Sequence, residues 1–207
     1  MVAVTVVGAG NLGGAVARLA AKAGAGVQVL ARERDKADAL ASSIGAESGQ
    51  IGDAVSGDIV VLAVPFHAVA EILTSYAGAW DGKTVVDVTN PVDLATFDGL
   101  VVPADSSAAR EIQSAAARTR VVKAFNVNFA ATLATGQTGS APTTVLIAGD
   151  DASAKDAVAD LVRGAGLRAV DAGSLKRARE LEALGFLQMT LAATEKTSWT
   201  SGFALND

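Results

Sequence analysis

The stretch VTVVGAGNLGG at residues 4–14 constrains the fold more than any other part of the sequence. An apolar, β-branched run leads into the pattern Gly-x-Gly-x-x-Gly, formed by Gly8, Gly10 and Gly13, and then into a predicted helix. In dinucleotide-binding units the first glycine permits a tight turn, the second lets the backbone approach a pyrophosphate, and the third lets the helix pack closely on the strand. The free amides of the helix N-terminus then face the phosphates. A glycine turn that serves packing alone is the alternative.

Strand-like and helix-like stretches alternate along the rest of the chain. This alternation predicts an α/β fold around a mostly parallel sheet. Residues 91–105 form the longest irregular stretch and are interpreted as an ordered connection near a site. The predicted strands are 2–7, 27–31, 58–64, 84–88, 120–125, 143–148 and 167–171, and the predicted helices are 11–23, 35–43, 67–78, 106–117, 151–164 and 176–197.

Composition and charge exclude several classes of protein. Half of the 207 residues are hydrophobic, which allows a sizeable core in one domain, and aromatic residues make up only 4%, so the core is built from aliphatic side chains. The net charge is −5 without a basic stripe, so no nucleic-acid partner is expected. No secretory leader is seen and no apolar run approaches the ~20 residues of a membrane span, so we expect a cytoplasmic protein without a membrane partner. The absence of cysteine removes thiolate catalysis and cysteine-ligated metals, and no metal site is predicted.

The end of the second predicted strand indicates which nucleotide the glycine turn holds. NAD-binding units place a carboxylate there to bind the ribose 2′-hydroxyl, but this chain has Ala31 followed by Arg32. Without the carboxylate a 2′-phosphate is not repelled, and Arg32 can pair with that phosphate and stack on adenine. Arg34 and Lys36 add positive charge, although two neighbouring carboxylates make a solvated helix start an equal alternative. The sequence therefore predicts NADP(H).

Two later strand ends, LAVPFH at 62–67 and DVTNP at 87–91, are predicted at the same edge of the sheet. Asn90 could hydrogen-bond a carboxamide or a ribose, and a turn-forming asparagine before proline is the ordinary alternative. His67 is the only histidine and is a candidate catalytic residue beside the nicotinamide, although a histidine at a helix start more often caps or packs.

No proton relay is evident in the sequence. The chain has no Tyr-x-x-x-Lys pair, no Gly-x-Ser-x-Gly motif and no histidine-rich metal motif. Such a chain suits a reaction in which a hydride passes directly between two bound cofactors, because the protein then needs only to place two rings face to face and to exclude water.

The stretches TVVGAGNLGGAVARLAAKAG, ARERDKA, LAVPFHAVAEIL, RVVKAFN and VDAGSLKRARELEAL together resemble the NADPH-dependent coenzyme F420 reductases, also called F420H2:NADP oxidoreductases. The same domain type forms the cytoplasmic part of the STEAP metalloreductases. The resemblance spans nearly the whole chain. It implies a single NADP-binding domain over residues 1–207, of the doubly wound Rossmann type, with a small C-terminal extension of helix and strand that forms a substrate and dimerisation segment at about 172–207. It also implies hydride transfer between NADP(H) and the deazaflavin F420, usually in a homodimer.

The resemblance, together with the glycine spacing and the end of the second strand, implies the site residues and the part of the ligands that each of them serves. Phosphate-loop positions and the 2′-phosphate positions are predicted to bind NADP(H), together with two strand ends that line the cofactor cleft. Three further positions are predicted to bind the hydride acceptor. The cofactor-binding set is Gly8, Ala9, Gly10, Asn11, Leu12, Gly13, Ala31, Arg32, Lys36, Val64, Pro65, Asn90 and Ala130, and the substrate-binding set is Asn126, Val127 and Asn128.

The chain departs from the resembled family at two places. Ala9 stands where the phosphate loop often has threonine, and FNVNFA at 125–130 replaces a histidine-containing segment of the archaeal F420-dependent members. These changes leave the NADP prediction intact and leave the acceptor open between F420, a flavin and a small organic substrate. The alternatives are therefore an NADPH-dependent reductase of an imine, a carbonyl or free flavin, and, in another class, a non-catalytic NADP(H)-binding redox sensor.

The C-terminal region carries an apolar stripe at helical spacing, which includes Leu181, Leu184 and Leu187. An ordinary core helix is the simpler interpretation, while the resemblance places this helix at a dimer interface and close to the deazaflavin. The tail at 199–207 contains Trp199, and we predict that it packs on the body of the domain or on a partner subunit.

Overall fold

A computed structural model describes residues 2–205 of the chain. Short 3-10 turns occur at Phe66–Ala68 and Leu175–Arg177. The strands are β1 Ala3–Val7, β2 Gly26–Ala31, β3 Glu47–Gln50, β4 Ile59–Leu62, β5 Thr84–Asp87, β6 Arg120–Lys123, β7 Gln137–Thr138, β8 Ala141–Pro142, β9 Thr144–Gly149 and β10 Arg168–Gly173, and the helices are α1 Asn11–Lys22, α2 Arg34–Ile44, α3 Val69–Ser75, α4 Ala108–Ala115, α5 Ala130–Thr135, α6 Ala152–Gly164 and α7 Ala178–Ala193.

Eight strands form one sheet in the order β10-β9-β6-β5-β4-β1-β2-β3. Strands β1 to β6 are parallel in the doubly wound order 3-2-1-4-5-6, which confirms the predicted Rossmann-type fold. Strand β9 pairs antiparallel with β6, and β10 pairs parallel with β9, so the sheet is mostly rather than wholly parallel. The winding reverses between β1 and β4. In open α/β sheets ligands bind at the carboxyl ends of the strands beside this point.

Alternating side chains of the central strands pack into opposite layers. Ile59 and Val61 of β4 belong to a cluster with α1, α2 and α6, whereas Val60 and Leu62 belong to a second cluster with α3 and α4. Each such burial stabilises the fold by about 1.5–3 kcal/mol relative to an exposed side chain. Because both faces of the sheet are covered, its strands are apolar on both sides, and this explains why the sequence pattern predicted them.

Some elements differ from the sequence-based prediction. Strand β3 is not among the predicted strands, because ESGQ carries no apolar alternation, and its pairing with β2 rests on backbone hydrogen bonds at the sheet edge. Helix α3 is shorter than the predicted helix 67–78, because the first residues form the 3-10 turn and Tyr76 ends the helix by packing on Trp80. Helix α5 and the β7–β8 hairpin were not predicted. Residues 91–105 are irregular as expected, with one isolated bridge between Val92 and Leu100.

Candidate functional site

A cavity of about 1520 Å³ follows the carboxyl edge of the parallel strands. It extends from the loop between β1 and α1, past the ends of β4, β5 and β6, to α5, α7 and the C-terminal tail. The cavity therefore lies where the strand order predicts a ligand. Of the predicted site residues, those that line it are Ala9, Gly10, Asn11, Leu12, Gly13, Val64, Pro65, His67, Asn90, Asn126, Asn128 and Ala130.

The three glycines of the Gly-x-Gly-x-x-Gly motif differ in their structural roles. Gly8 has a φ of +117°, and a Cβ atom there would lie 2.1 Å from the carbonyl oxygen of Ala63. A Cβ atom on Gly13 would lie 2.1 Å from the carbonyl oxygen of Gly8. Gly10 differs, because no heavy atom lies within 4 Å of its Cβ position. The fold itself thus requires glycine at the first and third positions, while the second leaves open space beside the cavity.

The first turn of α1 presents backbone amides that no side chain caps. Gly10 is the N-cap residue and the first turn contains no acidic side chain. In contrast, α4 and α6 begin with side-chain caps from Ser107 and Asp151. Asn11 and Leu12 of the first turn line the cavity. These amides and the positive end of the helix dipole suit the oxygens of a phosphate group.

The end of β2 lies directly beside the glycine loop, because the amide of Gly8 donates to the carbonyl of Leu30 at 2.7 Å. Ala31 is buried and Arg32 is exposed. Among residues 2–205, Arg32 forms no hydrogen bond or ion pair, whereas Arg34 pairs with Asp38. Lys36 is likewise engaged, at 2.6 Å from Glu33. Arg32 is therefore the basic side chain of this group that is free to bind an anion, although neither it nor Ala31 and Lys36 lines the main cavity.

The end of β4 forms the next wall of the cavity. The side chain of Val64 would lie 3.3 Å from a Cβ atom on Gly8, so this wall touches the glycine loop. Pro65 precedes the 3-10 turn that carries His67, whose side chain is exposed. His67 borders the cavity, and no hydrogen bond within the described chain fixes its ring.

The ends of β5 and β6 are joined by a reciprocal pair of asparagines. The Nδ2 group of Asn90 donates to the carbonyl oxygen of Asn126 at 2.9 Å, and Nδ2 of Asn126 donates to Oδ1 of Asn90 at 2.9 Å. Asn126 also donates to the carbonyl of Leu181 on α7 at 2.9 Å. Helix α7 approaches this pair closely because Gly185 has no side chain, and a Cβ atom there would lie 2.7 Å from Oδ1 of Asn90. Sequence reasoning missed the role of Gly185.

The predicted acceptor residues do not all face one space. Asn128 lines the main cavity, and its Nδ2 donates to the carbonyl of Thr144 at 3.0 Å. Val127 instead lines a separate cavity of about 50 Å³, beside Leu184 and Phe203. The Oδ1 atoms of Asn126 and Asn128 are buried without a hydrogen-bond partner in the described chain. Both amides are oriented by the backbone carbonyls to which they donate, so the unpartnered atom is the acceptor oxygen in each case.

An apolar wall lines the cavity beside α5, α7 and the C-terminal tail. It is formed by Phe129, Ala130 and Met189 together with Trp199 from the tail. The rings of Trp199 and Phe129 have centroids 5.0 Å apart and are tilted by 49°. The tail thus contacts the body of the domain as predicted, yet Trp199 remains 51% exposed. Residues 206 and 207 of the predicted tail segment lie outside the described residues.

Residues 2–205 contain neither a candidate metal site nor a candidate membrane span. No group of three or more histidine, aspartate or glutamate side chains is placed to hold a metal ion within this range. No helix in the described part of the chain is both long and apolar enough to cross a bilayer.

Comparison with known proteins gives consistent matches. A family model described as NADP oxidoreductase, coenzyme F420-dependent, matches residues 3–91. The F420-dependent NADP reductase of Methanothermobacter marburgensis is 30% identical over 207 residues, and the match covers 89% of each chain. Metalloreductase STEAP3 of Rattus norvegicus is 32% identical over 182 residues, covering 87% of this chain and 36% of that protein. A solved structure from Arthrobacter sp. FB24, proposed to be an F420-dependent NADP reductase, superposes with a TM-score of 0.85 over 99% of both chains; at 23% identity it shows the shared fold.

Proposed function

Because this chain belongs to the family of coenzyme F420-dependent NADP oxidoreductases, we propose that it transfers a hydride between NADP(H) and coenzyme F420. The observation that carries the proposal is the continuity of one cavity, which runs from the glycine loop to the apolar wall at Phe129 and Trp199. A nucleotide bound at the first end would point its nicotinamide toward the second. Two ring systems could therefore meet inside one site.

The residues at the glycine loop fit NADP(H). The open space beside Gly10 leaves room for a pyrophosphate next to the backbone, and the uncapped amides of α1 supply donors for it. We propose that Arg32 binds the 2′-phosphate, with Lys36 exchanging its contact with Glu33 for that phosphate. Gly8, Gly13 and Ala31 shape the loop, Ala9, Asn11 and Leu12 line the phosphates, and Val64, Pro65, Asn90 and Ala130 line the path of the nucleotide toward the acceptor.

The part of the cavity beside the apolar wall fits a flat second ring system. Cavities for single small ligands usually measure about 300–1000 Å³, and this one is larger. We propose that Asn126 and Asn128 bind the acceptor through their unpartnered oxygens, which would accept hydrogen bonds from N–H or O–H groups. Val127 supports this segment from its other side. The aromatic and aliphatic wall would exclude water from the face of the ring.

The bound substrates supply the chemistry, because the hydride passes between C4 of the nicotinamide and C5 of the deazaflavin. The protein must hold the two rings at a reactive distance and exclude water. Correct orientation of two reactants alone can give large rate enhancements. No side chain has to carry a proton during the hydride step itself. A catalytic role for His67 is accordingly not part of the proposal, although its ring borders the cavity.

The direct test mixes purified protein with NADPH and oxidised F420 and follows the loss of deazaflavin absorbance. We expect turnover that depends on protein concentration and that is saturable in both substrates. The variant Arg32→Glu should need far more NADPH to reach the same rate. Turnover no faster than in the protein-free mixture would refute the proposal.

A second candidate rests on the segment FNVNFA at 125–130, which places two buried amide oxygens in the acceptor half of the cavity. These oxygens could orient a small imine or carbonyl substrate, or free flavin, for reduction by NADPH. A non-catalytic NADP(H)-binding redox sensor is the alternative from another class, since the acid–base side chains that line the cavity within residues 2–205, His67 and Asp93, have no assigned proton transfer. A panel of acceptors distinguishes the three: the sensor oxidises NADPH with none, and the F420 enzyme prefers F420.

We also propose a single domain over residues 1–207, in which the segment from about 172 onward serves substrate binding and dimerisation. Helix α7 supports this, because Met189 lines the cavity while Leu187 on the same helix is half exposed, as is Phe203 in the tail. A cytoplasmic homodimer without nucleic-acid or membrane partners fits these features and the net charge of −5. Sedimentation equilibrium should then give twice the chain mass of 20.7 kDa. Measurement of a monomer at micromolar concentration would contradict it.

A further inference from the structure

Three ionisable side chains are completely buried beneath the acceptor half of the cavity. Lys123 of β6, Asp87 of β5 and Glu182 of α7 each have no exposed surface. The Nζ atom of Lys123 lies 2.7 Å from Oδ2 of Asp87, 2.7 Å from Oε1 of Glu182 and 2.6 Å from the carbonyl oxygen of Thr89. Each of its three protons therefore has an acceptor. We call these three side chains the buried charge network.

The two carboxylates extend this network into neighbouring backbone. Oδ1 of Asp87 accepts a hydrogen bond from the amide of Thr89 at 2.8 Å. Glu182 accepts hydrogen bonds from the amides of Ala108 and Ala109, at 2.8 and 3.2 Å, and so caps the N-terminus of α4. The network thus connects β5, β6, α4 and α7 at one point.

Such a network is a poor means of gaining stability. The desolvation of buried charges offsets much of their attraction, and well-packed apolar side chains of similar volume are often as stable or more stable. A buried ion pair that is retained calls for a reason of geometry rather than of stability. Its position supplies one, because Lys123 bonds the carbonyl oxygen of Thr89 in the cavity wall and Asp87 directly precedes Val88 of that wall.

The network connects to the Asn90–Asn126 pair through short chain segments and one hydrogen bond. Asp87 stands three residues before Asn90, and Lys123 stands three residues before Asn126. Glu182 follows Leu181, whose carbonyl oxygen accepts a hydrogen bond from Asn126. Movement of any member would therefore shift the Asn90–Asn126 pair or helix α7, which brings Met189 to the cavity.

We propose that the buried charge network is a positioning device that fixes the wall formed by Asn90, Asn126 and α7, where the nicotinamide and the acceptor ring would meet, relative to the glycine loop. This inference rests on the proposed hydride transfer. The reacting carbons of two stacked rings must approach to about 3–3.5 Å, and a displacement of about 1 Å can reduce the rate about 100-fold. Lys123, Asp87 and Glu182 act through the wall and do not touch the substrates.

The proposal separates the alignment of the two rings from the anchoring of the NADPH phosphates at the glycine loop. The glycine loop is built by β1, α1 and β2, and the network has no hydrogen bond or ion pair to any of these three elements. Loss of the network should therefore slow hydride transfer while leaving the affinity for NADPH nearly unchanged.

The test compares Lys123→Met and Glu182→Gln with a matched control, Lys155→Met. Lys155 also pairs with a carboxylate, that of Asp171 at 2.7 Å, and bonds a backbone carbonyl, but it joins α6 to β10 away from the cavity. We expect about a 10- to 100-fold slower single-turnover reduction of F420 by saturating NADPH in both network variants, with a dissociation constant for NADPH within about twofold of the wild-type value. The control should retain the wild-type rate. A wild-type rate in the network variants, or an equal loss of NADPH affinity, overturns the proposal.

Amide hydrogen exchange is the second measurement, for the case that Lys123→Met does not fold or that the wild-type protein does not reduce F420. Failure of the wild-type protein to reduce F420 would contradict the proposed function but not the positioning role of the network. Amide hydrogen exchange of the NADP-bound protein then decides: in Glu182→Gln we expect faster exchange in α7 and in the first turn of α4, with α1 unchanged. Exchange identical to wild type in α7 and α4, or equally faster in α1, overturns the positioning role.

Discussion

The carbonyl oxygen of Gly8 lies 2.1 Å from the point where a Cβ atom of residue 13 would stand, so the glycine loop and α1 touch backbone to backbone. The same loop leaves the Cβ position of Gly10 free of any heavy atom within 4 Å. The fold therefore requires glycine at positions 8 and 13, whereas position 10 has room for a side chain. Substitutions can separate these roles.

Gly8→Ala and Gly13→Ala should destabilise the protein by at least about 1–3 kcal/mol, because the added methyl meets backbone atoms that cannot move away. Urea denaturation measures this effect. A free energy of unfolding equal to the wild-type value in either variant would contradict the geometry of the loop.

Gly10→Ala should leave the free energy of unfolding within about 0.5 kcal/mol of wild type. Its backbone, at φ −77° and ψ −174°, suits any residue. The methyl should nevertheless weaken NADPH binding about tenfold, which corresponds to about 1.4 kcal/mol, because it enters the space predicted for the pyrophosphate. Fluorescence titration with NADPH tests this, and an unchanged dissociation constant would place the pyrophosphate elsewhere.

Arg32→Glu should raise the dissociation constant for NADPH by about 100-fold, because it removes a charge-assisted bond and adds repulsion against the 2′-phosphate. The constant for NADH, which has no such phosphate, should change by less than about threefold. Arg34→Glu is the matched control, since the guanidinium of Arg34 already pairs with Asp38, and it should affect both nucleotides weakly. Equal losses of NADPH and NADH affinity in Arg32→Glu would show that the 2′-phosphate lies away from this residue.

The nucleotide half of the site could be predicted because its signals are local in sequence. The glycine spacing, the strand before it and the Ala31–Arg32 end of β2 lie within one βαβ unit, and the structure places them side by side. Strand β3 could not be predicted, because a sheet edge held by backbone hydrogen bonds needs no apolar pattern. Lys123 and Asp87 could have been recognised as a pair from the sequence, because charged side chains inside strands that are buried on both faces must be paired. Their partner Glu182 is brought in by tertiary packing, which one sequence does not reveal.

The acceptor half of the site was harder to predict, because tertiary packing determines which side chains reach the cavity. Asn126 and Val127 are neighbours in sequence, yet one lines the main cavity and the other lines a separate one. The direction of each side chain depends on the turn after β6, where Phe125 adopts a φ of +64°. The apolar wall comes in part from Met189 and Trp199, which are distant in sequence from the glycine loop.

His67→Ala should keep the turnover number for F420 reduction by NADPH within about threefold of wild type, because a hydride moves between two bound rings without a protein acid. Loss of a general acid or base ordinarily reduces the rate about 10²- to 10⁴-fold. Steady-state rates between pH 6 and 8 provide the measurement. A loss of 100-fold or more, together with disappearance of a pH-dependent limb, would make His67 a catalytic residue.

Glu182→Gln should change how stability depends on pH. Burial is the largest influence on the Glu182 carboxyl and raises its pKa above the ordinary 4.5, while the ammonium of Lys123 opposes this and Asp87 adds to it. Since the pKa is higher in the folded state, the folded protein binds more protons between 4.5 and that raised value. The contribution of Glu182 to stability is therefore greatest below this window and is lost as the pH rises through it. Urea unfolding of both proteins from pH 4.5 upward provides the measurement. The free energy of unfolding of the wild type should fall relative to that of Glu182→Gln as the pH rises. A difference that does not depend on pH would contradict the raised pKa of Glu182.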